Sequence, residues 1–229
     1  MGHPARRRAG LVASGLSRRV NTAPPRHLWH TPGATWLAMA AGLAVGALAA
    51  IAAPALTLDW QPALAWRQPW RWWSAVFVHY SLPHLAGNLL ATALVAAYGW
   101  AAQVPSRVTA AWFIAWPLMH LALIRQEALQ HYGGLSGLMH AGVAAVNAYL
   151  VVSGVRGQKV IGGIVLFMLI MKVVTETPWR GAVQHSPDWD IPIAPIAHLT
   201  GLVAGLVCGV LIEAVHRRRM RAGRRPTTP

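Results

Sequence analysis

Ala197-His198-Leu199-Thr200-Gly201-Leu202-Val203-Ala204-Gly205-Leu206-Val207-Cys208-Gly209-Val210-Leu211 decides the fold. It carries no charged residue and lies within an apolar run from Ile191 to Ala214. About 20 mostly apolar residues cross hydrocarbon as a helix, the form that satisfies every backbone group internally. Five further stretches come close to that requirement: Ala34 to Leu58, Leu82 to Trp100, Val108 to Ile124, Gly134 to Val152 and Val160 to Val174. The third contains Pro117 and the fifth is short. The sequence therefore predicts an all-α polytopic membrane protein, with six spans across residues 34–214 between basic segments at 1–33 and 215–229. Composition agrees: of 229 residues 55% are apolar and 11% charged, against about a quarter charged in soluble domains. No part reads as a second, soluble domain.

Net charge is +14, which taken alone suggests a nucleic-acid partner. The placement of the cations points elsewhere. Arg6, Arg7, Arg8, Arg18, Arg19 and Arg26 precede the first span, and Arg217, Arg218, Arg219, Arg221, Arg224 and Arg225 follow the core of the last. With both ends in the cytoplasm, Arg107, Arg156 and Lys159 join them inside, while Arg67, Arg71, Arg125 and Arg180 fall outside and Lys172 lies in the fifth span. That asymmetry of 15 against 4 follows the positive-inside rule and predicts a multi-pass membrane protein with both termini in the cytoplasm and no nucleic-acid partner. Five of the six acids, Asp59, Glu127, Glu176, Asp188 and Asp190, sit at the opposite ends of the spans. The first 30 residues are too long and too rich in Arg and Pro for a cleaved signal peptide and read as a disordered tail. It either attracts anionic headgroups, at about 1 kcal/mol per cation, or only fixes topology. Trp60, Trp66, Trp70, Trp72 and Trp73 place the first outer loop at headgroup level. The single cysteine, Cys208, can form no intrachain disulfide.

The chemistry resides in polar groups that a bilayer helix holds at a cost. In Tyr132-Gly133-Gly134-Leu135-Ser136-Gly137-Leu138-Met139-His140, paired glycines permit a tight loop and Gly137 clears space beside the Ser136 hydroxyl. A serine at a helix N-terminus either caps it or lies where backbone N–H groups and the dipole stabilise an oxyanion. In the opening stretch, Gly201, Gly205 and Gly209 form a ridge that admits a neighbouring helix. His198 sits at its edge, within reach of a partner serine or as packing glue. Ser81 and Pro83 signal a helix start, after which His84 and Asn88 share one face as oxyanion donors or as interhelical glue. These residues lie at one depth, with His198 about two turns into its span. Together they form a nucleophile constellation.

At these residues the chain resembles the rhomboid family of intramembrane serine proteases, from Trp70 to Leu211. The likeness rests on Trp70-Arg71, His79, His84 with Asn88, Gly134-Leu135-Ser136-Gly137, and Ala197-His198 with Gly201 and Gly205. It looks closest to the rhombosortase branch, through Leu135-Ser136-Gly137 with His140 and through Lys172 with Glu176 ahead of His198. The resemblance implies a six-helix bundle in a bacterial inner membrane with its site toward the periplasmic side, no cofactor, and a Ser136–His198 dyad without a third carboxylate, no acid being near His198 in sequence. His84, Asn88 and the Ser136 backbone N–H would hold the oxyanion. The substrate implied is a membrane-anchored protein with a C-terminal transmembrane segment, or one tagged at its C-terminus by a glycine-rich sorting signal. His140 stands where the family commonly has a tyrosine, so it would either stack on His198 or compete with it as base. Lys172 and Glu176, four residues apart, would form an ion pair pinning the fifth span or a substrate contact. His120 and His131 lack an acid or cysteine at metal-ligand spacing, which leaves them structural or interfacial and no metal site predicted. An amine acceptor in place of water would turn the same chemistry into transpeptidation. The rivals are a haem-binding electron-transfer bundle built on His79, His84, His120, His140 and His198, and an inactive rhomboid-like protein that binds membrane clients.

Overall fold

The structure is a computed structural model that describes residues 31–126, 128–187 and 189–223. The expected N-terminal tail through residue 30, the two acids Glu127 and Asp188, and the last basic residues Arg224 and Arg225 lie outside the described residues.

Among the described residues the chain forms eight α-helices: α1 (Ala34–Ala49), α2 (Ala55–Leu58), α3 (Arg71–Ser74), α4 (Leu82–Ala101), α5 (Ser106–Leu123), α6 (Ser136–Ser153), α7 (Arg156–Thr175) and α8 (Pro195–Ala222). No β-strand forms among the described residues, where β pairing is limited to two isolated bridges, Trp60 with Tyr132 and Gln184 with Ile193. The six long helices fall on the six predicted spans, so the chain is a polytopic helical bundle. Its edges differ from expectation in three places. The first span stops at Ala52, because Pro54 breaks the helix and α2 starts a separate turn. The sixth begins at Pro195, since Ile193 pairs with Gln184 in a bridge and Pro195 takes the first helical position. Helix α8 also continues past Ala214 to Ala222, so Arg217 to Arg221 are helical where a tail was expected.

Four helical segments are long and apolar enough to cross a membrane on composition alone: 34–52, α6, α7 and α8. The other two long helices are diluted by polar residues, His84 and Asn88 in α4 and Arg107 and His120 in α5. Around the bundle, Leu90 and Leu94 of α4, Ile164, Phe167 and Met168 of α7, and Val203 and Val207 of α8 are exposed. So extensive an apolar surface requires lipid around it.

Helix α6 occupies the centre and packs against α8, α7, α5 and α4. Its tightest contact follows the predicted glycine ridge: a Cβ at Gly201 would lie 2.0 Å from the Gly137 carbonyl oxygen, and one at Gly205 2.1 Å from that of Ala141. Helix α1 joins α4 and α5 through Trp36, whose indole donates to the Val95 carbonyl at 2.9 Å and stacks on Trp112 at 4.2 Å. Helix α7 rests chiefly on α6 and buries only Gly162 and Val173.

The segment between α1 and α4 is built around a buried ion pair. Asp59, fully buried, accepts from Arg71 Nη1 at 2.8 Å, and Arg71 also donates to the carbonyls of Asp59 and Leu56. His131, Gln61 and Tyr80 complete the Asp59 carboxylate's partners. Trp66 and Trp70 are exposed, as an interfacial loop requires, whereas Trp60 is fully buried.

Candidate active site

Ser136 is placed by the segment ahead of it. Trp60 and Tyr132 exchange both backbone hydrogen bonds, at 2.7 and 2.9 Å, and the Gly134 amide donates to the Ala75 carbonyl. Gly133 lies so near Val78 that a Cβ would meet its carbonyl oxygen at 2.8 Å, and Gly134 adopts φ +119°, a left-handed conformation that favours glycine. The chain thus turns sharply into α6, whose first residue is Ser136. Its hydroxyl makes no capping bond; it donates to His198 Nε2 at 2.9 Å. The capping alternative is not what this serine does. Burial keeps the Tyr132 phenol above its usual range, so it stays protonated and donates to the Gly134 carbonyl.

His198 lies in the first turn of α8, one turn in where the sequence reading put two, because the helix starts late at Pro195. Its Nδ1 donates to Glu176 Oε2 at 2.7 Å. A carboxylate thus reaches His198 in space, although none lies near it in sequence. Glu176 follows the last residue of α7, and the segment between it and α8 returns the chain so that the two side chains meet. The other carboxylate oxygen accepts from Lys172 Nζ at 2.6 Å, and the same ammonium lies 2.9 Å from His140 Nε2. His140 Nδ1 donates to the Ser136 carbonyl at 2.7 Å. Ser136, His198, Glu176, Lys172 and His140 thus form a closed ring of hydrogen bonds, and each partner assigns a tautomer: in both histidines Nδ1 carries the proton and Nε2 accepts. The His140 ring stacks on His198 at 4.3 Å and 12°. Neither of its nitrogens addresses the Ser136 hydroxyl. Burial alone would raise the Glu176 pKa, but the hydrogen bonds and charges of His198 and Lys172 outweigh it and hold the carboxyl at about 2.

His84 and Asn88 stand on α4, where Ser81 caps the helix by accepting from the His84 amide at 3.2 Å. A Cβ at Gly134 would lie 2.6 Å from His84 Nε2 and 3.7 Å from Asn88 Nδ2, so both nitrogens face the backbone just before Ser136. Asn88 Nδ2 donates to the His84 carbonyl, while His84 Nδ1 and Asn88 Oδ1 are buried without a partner. Gly137 and Gly201 bring α6 and α8 together here, and Gly205 continues that contact. A cavity of about 570 Å³ opens on Ser136, His198, His84 and Asn88, with Trp189 and Ile191 along its wall. Ser81 ties that wall to α4 through Asp190 at 2.9 Å.

The ligand atoms of His140, Glu176 and His198 lie within 4.8 Å of one another, close enough for a metal ion. The Lys172 ammonium already bridges His140 and Glu176 there and supplies the positive charge. His131, which has no acid at metal-ligand spacing in sequence, pairs with Asp59 at 2.7 Å, and His120 stacks on Trp60 and bonds the Trp72 carbonyl. Sequence reasoning missed the Glu176–His198 contact and the Asp59–Arg71 pair. The signal for the second was available in two opposite charges flanking one tryptophan-rich loop.

The Rhomboid domain family model matches residues 66–214, well over half of the chain and including each of the residues around the cavity. No curated protein matches the chain.

Proposed function

The chain belongs to the rhomboid family, and from that premise we propose that it is an intramembrane serine endopeptidase with Ser136 as nucleophile and His198 as base. The reading rests on one observation: the unbroken series Ser136 Oγ, His198 and Glu176, with contacts of 2.9 and 2.7 Å, at the floor of a cavity. As Ser136 Oγ attacks a peptide carbonyl carbon, its proton passes to His198 Nε2 and the carbonyl oxygen becomes an oxyanion. The Ser136 backbone N–H, His84 and Asn88 receive that charge. His198 then protonates the departing amine, and water repeats the sequence on the acyl-enzyme. Glu176 holds the imidazole in the required tautomer and stabilises the imidazolium, as the acid of a serine triad does. The catalytic unit is therefore a triad, where a dyad was expected. His140 and Lys172 support it as positioning residues.

The cation asymmetry supports both termini in the cytoplasm and the cavity on the opposite, periplasmic side; the likeness to rhombosortases supports a bacterial inner membrane. Basic segments 1–33 and 215–229 flank the membrane domain. The rhombosortase branch is the subgroup that Ser136 with His140 and Lys172 with Glu176 favour. Its substrates would be membrane-anchored proteins with a C-terminal transmembrane segment and a glycine-rich sorting signal. A haem bundle fits poorly, because the His140 and His198 rings lie in direct stacking contact and all four of their nitrogens are hydrogen-bonded. An inactive client-binding relative would have no use for the intact series.

A labelled fluorophosphonate, run beside a cleavage assay, tests the reading. Unmodified protein should be labelled, Ser136→Ala should not, and His198→Ala should be labelled far more slowly. Labelling that survives Ser136→Ala removes Ser136 as the nucleophile.

A further inference from the structure

At the end of the bundle remote from Ser136, the start of α5, the end of α6, the start of α7 and the last turns of α8 surround a second cavity of about 550 Å³. Five basic side chains from three helices line it: Arg107, Lys159, His216, Arg217 and Arg221. The acid at this end among the described residues, Glu213, is fully buried and already engaged. It accepts from Arg107 Nε at 2.7 Å and from the Ser153 hydroxyl at 2.5 Å. Arg217 donates to the Val152 carbonyl at 3.1 Å. The side chains of Lys159, His216 and Arg221 make no hydrogen bond or ion pair among the described residues. A topology signal needs cations near the ends of spans. It does not require that they converge on one hollow whose carboxylate has been neutralised.

The surroundings identify the anion. Met220 lines the cavity, and Val151, Val155 and Val160 beside it are exposed. From Lys159 the exposed face of α7 continues through Ile161, Ile164, Phe167 and Met168. A soluble phosphate would gain nothing from that apolar track. A phosphodiester carrying acyl chains would place its charge among the cations and its chains along α7. Basic pockets between spanning helices are suited to such headgroups. We propose that this cavity is a binding site for the phosphodiester headgroup of an anionic phospholipid, with Lys159 and Arg221 as its principal free cations.

The test uses the full-length protein in neutral detergent, with native mass spectrometry to count retained lipid and thermal unfolding to read its effect. Phosphatidylglycerol should be retained at least tenfold more tightly than phosphatidylcholine and should raise the unfolding midpoint. The double substitution Lys159→Gln with Arg221→Gln should weaken that binding roughly 10- to 30-fold. Arg67→Gln with Arg180→Gln, which removes the same charge at the opposite end, should leave it nearly unchanged. Equal retention of the two lipids by the unmodified protein overturns the proposal even if the variants fail to fold, and so does equal weakening by the two variant pairs. Inorganic phosphate that displaces the lipid at millimolar concentration and matches its stabilisation would assign the cavity to a soluble anion and also overturn it.

Discussion

The five side chains of the hydrogen-bonded ring divide into those that local sequence announces and those that it does not. Ser136 stands out because glycines on both sides are needed for the turn and the close helix, and His198 because a helix buried in lipid rarely holds an imidazole without use for it. Glu176 is visible in sequence only as the partner of Lys172: it belongs to the end of a different helix, and its contact with His198 depends on how the chain returns between α7 and α8. Its proposed role predicts that Glu176→Gln lowers kcat by roughly 100-fold or more with little change in KM, measured on a cleavable membrane substrate. A merely structural carboxylate would not separate the two constants in this way. The carboxyl is held at about 2 in the folded protein against a usual 4.5. The depressed value means that its contribution to stability is complete above 4.5 and is lost as the pH falls from there through 2. The difference in thermal midpoint between unmodified protein and Glu176→Gln should therefore close over that window. A difference that persists at the acid end would assign the stabilisation to something other than the ionised group.

At the level of helices, the apolar runs were legible because each must satisfy its backbone in hydrocarbon, and the six runs correspond to the six long helices. What misled the reading was proline context. Pro54 cuts the first run, and the Ile191–Pro195 stretch is apolar yet cannot begin a helix before its second proline. The ridge of Gly201, Gly205 and Gly209 was readable as a close helix contact, though its partner was not. That partner is α6, met at Gly137, at Ala141 and, from Gly209, at Ala145 and Ala148. A side chain at Gly205 would meet α6 backbone, which cannot rotate aside as a flexible side chain would. Gly205→Val should thus destabilise the bundle by about 3 kcal/mol or more, seen as a lower unfolding midpoint in detergent, whereas Gly163→Val, at an open position on α7, should be nearly neutral. Equal losses at the two positions would contradict the packing given for α6 and α8.

For the molecule as a whole, charge and hydropathy already specified a multi-pass membrane protein, because desolvating cations limits which ends can be drawn across a bilayer. The six crossings proposed would leave the start of α1 and the end of α8 on one side. A phosphatase reporter that is active only outside the cytoplasm should be silent when fused after residue 229 and active when inserted in the 177–187 segment; the reverse pattern would invert the orientation. Distribution of burial, in contrast, could not be read from composition. Helix α7 is as apolar as its neighbours but touches the bundle along one side only, and it ends in the carboxylate on which His198 depends. A rod held on one flank leans according to the thickness of the hydrocarbon around it, so the turnover number becomes a gauge of the surrounding lipid. In bilayers of graded acyl length the proposed peptidase activity of the unmodified protein should show an optimum, and Glu176→Gln, already uncoupled from that lean, a low and level response.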